Sequence, residues 1–220
     1  MLSLTEENYI KALFHLTLTS PDKKETGTTE IAKTLNVKPA TANNMIKKLR
    51  DKKLIDYQKY GKVQLTKEGK KKALQILRKH RLWETFLYEK LEFDWGEVHE
   101  VAEQLEHISS EKLVDRLDKF LGFPKVDPHG DPIPDSKGKM KPISRFTLSQ
   151  IQVGNTCKMV AVKDDSAVFL KYVVKIGLSL NSQITVVGKQ AFDSTLEIEI
   201  NGNRKRVSEK FADHIFVIPD

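Results

Sequence analysis

The stretch from 122 to 142, "GFPKVDPHGDPIPDSKGKMKP", limits this chain more than any other. Four of its eight prolines lie between Pro128 and Pro142, and Pro124 stands just upstream. Each proline removes a backbone N–H and fixes φ, so neither a helix interior nor a central strand can run through here. The chain is cut into two parts with different periodicity. Before the cut, apolar residues recur at helical spacing: Leu4, Tyr9, Ile10, Leu13, Phe14, Leu16 and Leu18, then Trp83, Phe86, Leu87 and Leu91, then Leu113, Leu117, Phe120 and Leu121. After it come short β-type runs, "TCKMVAVK", "QITVVGK", "LEIEING" and "HIFVIPD", interrupted by a helical "SAVFLKYVVKIGL". "NGN" at 201–203 is a hairpin turn signal. The fold class expected is α+β, ending in a small β-barrel.

The first part divides again. Residues 1–75 read as three helices and a hairpin. "TTEIAKTLNVKPATANNMIKKLRDKKLI" has helix-turn-helix grammar: Ala32 is small where two helices cross, Leu35 and Val37 bracket the turn, and Ile46 and Leu49 seat the second helix. Pro39 falls in that helix's first turn, where its missing N–H does little harm. Lys38, Pro39, Ala40, Thr41, Asn43, Asn44, Lys47 and Lys48 are then left for a major groove, with Thr41 and the amides suited to base edges and the lysines to phosphate. Lys59, Tyr60 and Lys62, near the hairpin tip around Gly61, would form a wing on the backbone. Charge agrees: residues 1–81 hold 19 Lys/Arg against 8 Asp/Glu, or +11, whereas the remainder holds 18 against 22, or −4. A basic third on a mildly acidic remainder suits a polyanionic partner.

Residues 76–122 are helical and carry more apolar surface than one short bundle hides, which points to packing between subunits. Within them "HEVAEQLEH" (99–107) is five-ninths His and Glu. Drawn as a helix, it gathers His99, Glu103, Glu106 and His107 on one arc, opposite Val101, Leu105 and Ile108. A Glu-rich arc is usually a solvated face. This one contains no lysine to pair with, so its acids and imidazoles favour a cation. His80 and Glu84, four residues apart, form a second such pair.

"KHRLWETFL", "VHEVAEQLEHISSEKLVDRL" and "DPHGDPIP", in this order and spacing, resemble the metal-dependent repressors that include the diphtheria toxin repressor and the manganese transport regulators. The resemblance spans nearly the whole chain. It implies a winged-helix DNA-binding domain (1–75), a helical dimerisation and metal-binding domain (76–122), a Pro/Gly-rich linker (123–142) and an SH3-like, FeoA-like domain (143–220). It also implies a non-enzymatic repressor of metal-uptake genes that a divalent metal activates. Glu103, Glu106 and His107 match the family's primary, activating site. A further ligand is due from the first helix at Asn8, where relatives often have Asp or Met. One turn on, where two-domain manganese regulators have a carboxylate, this chain has Lys11, and Glu7 is an alternative donor. A second site matches His80, Glu84, His99, Asp127, His129 and Asp165, with Asp164 nearly equivalent to Asp165.

Glu103 and Asp127 stand where other members have Cys. Carboxylates in place of thiolates favour Mn²⁺, with Fe²⁺ the close alternative and Zn²⁺, Co²⁺ or Ni²⁺ expected to bind in vitro. Double-stranded operator DNA and a second copy of the chain are the partners expected, with no membrane and no small organic ligand. The one cysteine, Cys157, suits a small buried strand residue and a reducing cytoplasm. "MLSLTEENYIKAL" lacks the pattern of a signal peptide. Two other classes stay open: a winged-helix regulator switched by a non-metal ligand, and a metal-dependent hydrolase. The second lacks an "HExxH" or nucleophile motif.

Overall fold

The computed structural model describes residues 2–18, 26–57, 62–140 and 144–220. The wing tip, with Lys59, Tyr60 and Gly61, lies outside them. The chain forms two compact units. One contains Met1–His80, Leu105–Glu111 and Pro134–Lys139; the other contains Arg81–Gln104, Lys112–Ile133 and Met140–Asp220.

In the first unit, α1 (Leu4–Leu18) packs with α2 (Thr28–Thr34) and α3 (Pro39–Asp51). Ile10, Leu13, Ile31, Ala42, Ile46 and Leu49 are buried, as the helical period demands. The turn between α2 and α3 closes through Asn36 at φ 50°, and the Val37 N–H donates to the Ala32 carbonyl at 2.9 Å. A three-stranded antiparallel sheet follows, in the order β1 (Thr26–Gly27), β3 (Lys62–Leu65), β2 (Ile55–Tyr57). This is a winged helix-turn-helix. Helix α4 (Lys67–Leu91) then runs unbroken through residues 75 and 76: no proline or glycine stands between Lys70 and Leu91, Ala73, Ile76, Leu77 and Leu87 are buried along one face, and Leu82 is buried on the other.

In the second unit, α5 (Val98–Leu105) and α6 (Glu111–Phe120) accompany the later part of α4. Leu82, Val114 and Leu117 form a small core with Trp83, Phe86, Leu121 and Ile133 against it. The larger core lies under a six-stranded antiparallel sheet, β4 (Phe146–Thr147), β9 (Ile215–Pro219), β5 (Thr156–Val162), β6 (Gln183–Lys189), β7 (Leu196–Ile200) and β8 (Asn203–Val207), in that order. Helix α7 (Ala167–Ile176) contributes Leu170 and Val173 to that core, and a short α8 (Glu209–Ala212) contributes Phe211 and Ala212. Cys157 is buried in β5, and its thiol donates to the Ile184 carbonyl.

Two elements escape a reading by periodicity. Strand β8, "NRKRV", shows no apolar alternation because it is an edge strand whose charges pair across to β7, as Arg204 does with Glu199 at 3.5 Å. The proline-rich segment, as far as residue 140, is irregular but ordered. The Asp127 carboxylate accepts from the backbone N–H groups of His129 (2.8 Å) and Asp131 (3.0 Å), and an isolated bridge joins Val126 to Pro132. Asp127 and His129 are buried.

Candidate metal centre and DNA-reading face

The exposed face of α3 follows from its buried one. With Ala42, Ile46 and Leu49 turned inward, Lys38, Pro39, Ala40, Thr41, Asn43, Asn44, Lys47 and Lys48 are all solvent-exposed, as is Lys62 on β3. Lys48 and Lys52 also reach the buried carboxylate of Glu6, at 3.2 and 2.7 Å. Glu6 is held at the start of α1 by a reciprocal cap: the Ser3 N–H donates to it at 2.8 Å and its own N–H donates to Ser3 Oγ at 3.3 Å. Burial pushes this carboxyl up, but the bonds from Lys52, the Ser3 backbone and Lys48 prevail and lower it to about 2.

The acidic, imidazole-bearing arc does not stay together. Helix α5 ends at Leu105, so Glu106 and His107 lie in the turn beyond it. Their side chains serve a different group from His99 and Glu103.

In the second unit, His99 Nδ1 lies 3.2 Å from Glu84 Oε1, and its Nε2 lies 3.5 Å from Glu103 Oε1. Asp165 approaches the same Nδ1 at 3.7 Å. His129 Nδ1 lies 3.7 Å from Glu84 Oε1. Glu84, Asp127 and His129 are all buried, and each offers a ligand atom within 4.8 Å of the others. Asp164 is used locally, accepting from the Ser166 N–H.

The proline-rich segment builds this cluster. Gly130 has φ +84°, and a Cβ there would lie 1.9 Å from the Val160 carbonyl oxygen, so only glycine lets the segment seat against β5. The Val162 N–H donates to the His129 carbonyl at 3.1 Å. Trp95 stacks on the His129 ring (centroids 5.8 Å apart, planes at 22°), and its indole N–H donates to the Pro128 carbonyl at 2.8 Å. His129 Nε2 lies 3.3 Å from the Trp95 carbonyl oxygen, which leaves Nδ1 facing Glu84. Arg81 braces the far side, contacting Asp127 at 3.2 Å and Asp131 at 3.1 Å. Trp95, Arg81 and Asp131 carry no ligand signature in the sequence. Only the adjacency of Asp131 to "DPHG" hints at its part.

The charges in the cluster depend on one another. Burial, with the neighbouring Glu84 carboxylate, pushes the Asp127 carboxyl up to about 7 despite Arg81. Burial opposes charge on His129, yet the facing Glu84 raises it to about 9. Bonds to Glu103 and Glu84 raise His99 to about 10 against its own burial. The imidazoles serve here as charged partners of the buried carboxylates. A divalent cation could take over that role, and carboxylates with imidazole are suitable donors. The residues present fit a metal.

The first unit holds the other group. Glu106 is fully buried, and Lys11 Nζ lies 2.9 and 2.7 Å from its two oxygens. His80 Nδ1 is 2.6 Å from Glu106 Oε2. His107 Nδ1 is 2.7 Å from Glu7 Oε2, and Lys79 approaches the same oxygen at 4.0 Å. Burial would raise the Glu106 carboxyl, but His80 and Lys11 hold it below its usual value. Asn8 is solvent-exposed. Of the residues matched to the primary site, Glu106 and His107 belong to this group, while Glu103 is 52% exposed and contacts His99 in the other unit.

Comparison with known proteins agrees with this picture. Residues 1–63 match the iron-dependent repressor N-terminal DNA-binding domain, 66–135 the iron-dependent repressor metal-binding and dimerisation domain, and 146–219 the FeoA domain. An uncharacterized HTH-type transcriptional regulator of Methanocaldococcus jannaschii is 34% identical over 120 residues, which cover 54% of this chain and 94% of that one. The iron-dependent repressor IdeR of Mycobacterium tuberculosis is 31% identical over 134 residues, 59% of this chain and 55% of that one. A manganese-dependent transcriptional repressor, solved in complex with manganese, superposes with a TM-score of 0.85 at 33% identity, covering 98% of this chain and all of the other. Two of these relatives are repressors and the third is a transcriptional regulator; the chain belongs to the diphtheria toxin repressor family of metal-dependent, DNA-binding transcriptional repressors, which are not enzymes.

Proposed function

We propose that the chain is a homodimeric, Mn²⁺-activated repressor of metal-uptake genes, with Fe²⁺ the close alternative. One observation carries the metal reading: Glu84, Asp127 and His129 are all buried and each turns a ligand atom to within 4.8 Å of the others. Glu84, Asp127 and His129 would hold the ion, with His99 and Asp165 beside them. Among these donors there is no thiolate, which supports a harder ion over Zn²⁺. The ion supplies charge that lets the carboxylates stay ionised. The chain's own part is to hold them: Trp95 fixes the His129 ring, Arg81 braces Asp127, and Gly130 lets the segment close. Glu84 belongs to α4, the helix that follows the wing. Ordering this end of α4 would narrow the spread of recognition-helix positions in a dimer, so less free energy is spent in docking two half-sites. Lys38, Pro39, Ala40, Thr41, Asn43, Asn44, Lys47, Lys48 and Lys62 would face the duplex, with Tyr60 at the wing. Regulation by a non-metal ligand would leave the buried cluster without a purpose.

The test is fluorescence anisotropy on a duplex selected from random sequence by the protein in mixed divalent metals. Tens of micromolar Mn²⁺ should raise affinity at least tenfold. Asp127→Ala should abolish that gain while circular dichroism stays unchanged. No gain with Mn²⁺, alongside a gain with Fe²⁺, overturns the choice of metal.

A further inference from the structure

The second group of acids and imidazoles, around Glu106, already holds a cation. Lys11 comes from the third turn of α1 and places its ammonium against both oxygens of a fully buried carboxylate, at 2.9 and 2.7 Å. The Lys11 side chain is itself only 13% exposed. Around this pair the charges are matched. Glu7 and Glu106 face Lys11 and Lys79, and the imidazoles of His80 and His107 each lie within 2.7 Å of one of the two carboxylates. An ion entering here would meet ammonium groups at close range in a poorly solvated pocket, where like-charge repulsion is screened least. The donors that a metal would need are also dispersed, since Asn8 is exposed and Glu103 contacts His99.

We infer that the Lys11 ammonium takes the place of the ion at the Glu106 group, tying α1 to the turn after α5 without metal, so that the chain binds one activating ion, at Glu84, Asp127 and His129. The consequence is a division of labour. The contact between α1 and Glu106 is permanent, and metal control is confined to the other cluster. That second clause rests on the metal reading above; the first does not.

Mn²⁺ stoichiometry by isothermal titration, with electron paramagnetic resonance counting free Mn²⁺, separates the two. The full-length protein should bind one Mn²⁺ per chain, and Asp127→Ala should bind none. Lys11→Glu, which replaces the ammonium with a third donor carboxylate, should bind two. Lys11→Ala provides a variant without an added buried charge. It should melt at a lower temperature than the unmodified protein without metal and recover on adding Mn²⁺, whereas the unmodified protein keeps its α1 amides protected from hydrogen exchange in metal-free buffer. Two Mn²⁺ per unmodified chain overturns the inference, as does a Lys11→Glu count equal to that of the unmodified protein. α1 amides protected only once Mn²⁺ is added overturn it too. If the unmodified protein binds no Mn²⁺ and Lys11→Glu binds one, the metal reading of the other cluster fails and the role of Lys11 stands.

Discussion

Replacing Gly69 with alanine should destabilise the DNA-binding unit, although local rules say the reverse. Gly69 lies in the first turn of α4, its N–H donating to Thr66 Oγ1 at 3.0 Å. An exposed helical Gly→Ala change normally gains about 1 kcal/mol. Here the new Cβ would fall 2.0 Å from the Leu54 carbonyl oxygen and 3.1 Å from Leu65 Cδ2. Even close carbon–oxygen contacts sit at about 3.3 Å or more, so backbone must retreat by roughly 1 Å. That carbonyl also accepts the Thr66 N–H at 3.0 Å, and the Leu54 N–H closes the end of α3 on the Leu49 carbonyl. Overpacking of this kind costs about 1–3 kcal/mol, and the strained Thr66 bond adds about 1 kcal/mol. Against the propensity gain, the net expected loss is about 1–3 kcal/mol. Urea melts followed by circular dichroism read it as a lower midpoint at unchanged slope. Gly27→Ala is the control: a Cβ there meets nothing within 4 Å, and the midpoint should move by less than about 0.5 kcal/mol equivalent. A Gly69→Ala protein that is more stable by about 1 kcal/mol would refute the packing argument.

Glu6→Gln should cost about 1–2 kcal/mol at neutral pH, less than the full shift to about 2 implies, because the Lys52 and Lys48 side chains are 38% and 56% exposed and solvent screens them. A lowered carboxyl stabilises fully above its unfolded value near 4.5, so the gap between the two proteins should close as pH falls from about 4.5 towards 2; urea midpoints with an equal gap at pH 7 and pH 2.5 would contradict this. Phe120, 65% exposed near exposed Leu113 and Phe123, is the residue best suited to a subunit contact; Phe120→Glu should give monomers by light scattering at micromolar concentration, and an unchanged dimer would move the contact elsewhere.

Much of this protein is legible locally. The helices of the first 75 residues, the turn at Asn36, the exposed face of α3 and the inner strands β5, β6, β7 and β9 all follow from apolar spacing, because burial on one face imposes a period on the residues that achieve it. The family blocks carried the candidate ligands Glu84, Asp127 and His129 as well. Tertiary structure decided what each polar group meets. The arc from His99 to His107 contains no lysine, so a cation was to be expected beside it. The one that arrives at Glu106 comes from Lys11, 95 residues away, and no pattern of spacing encodes that distance. Likewise the proline-rich segment reads as a spacer, because proline speaks only of what the backbone cannot do. That its middle, Asp127 to Gly130, is buried follows from Gly130 fitting against Val160 and from Trp95 lying on His129, contacts between residues about 30 positions apart. Periodicity reports which side of an element is dry. Where a buried charge finds its counter-charge is settled only when distant elements pack, since the penalty for leaving it unpaired arises only then.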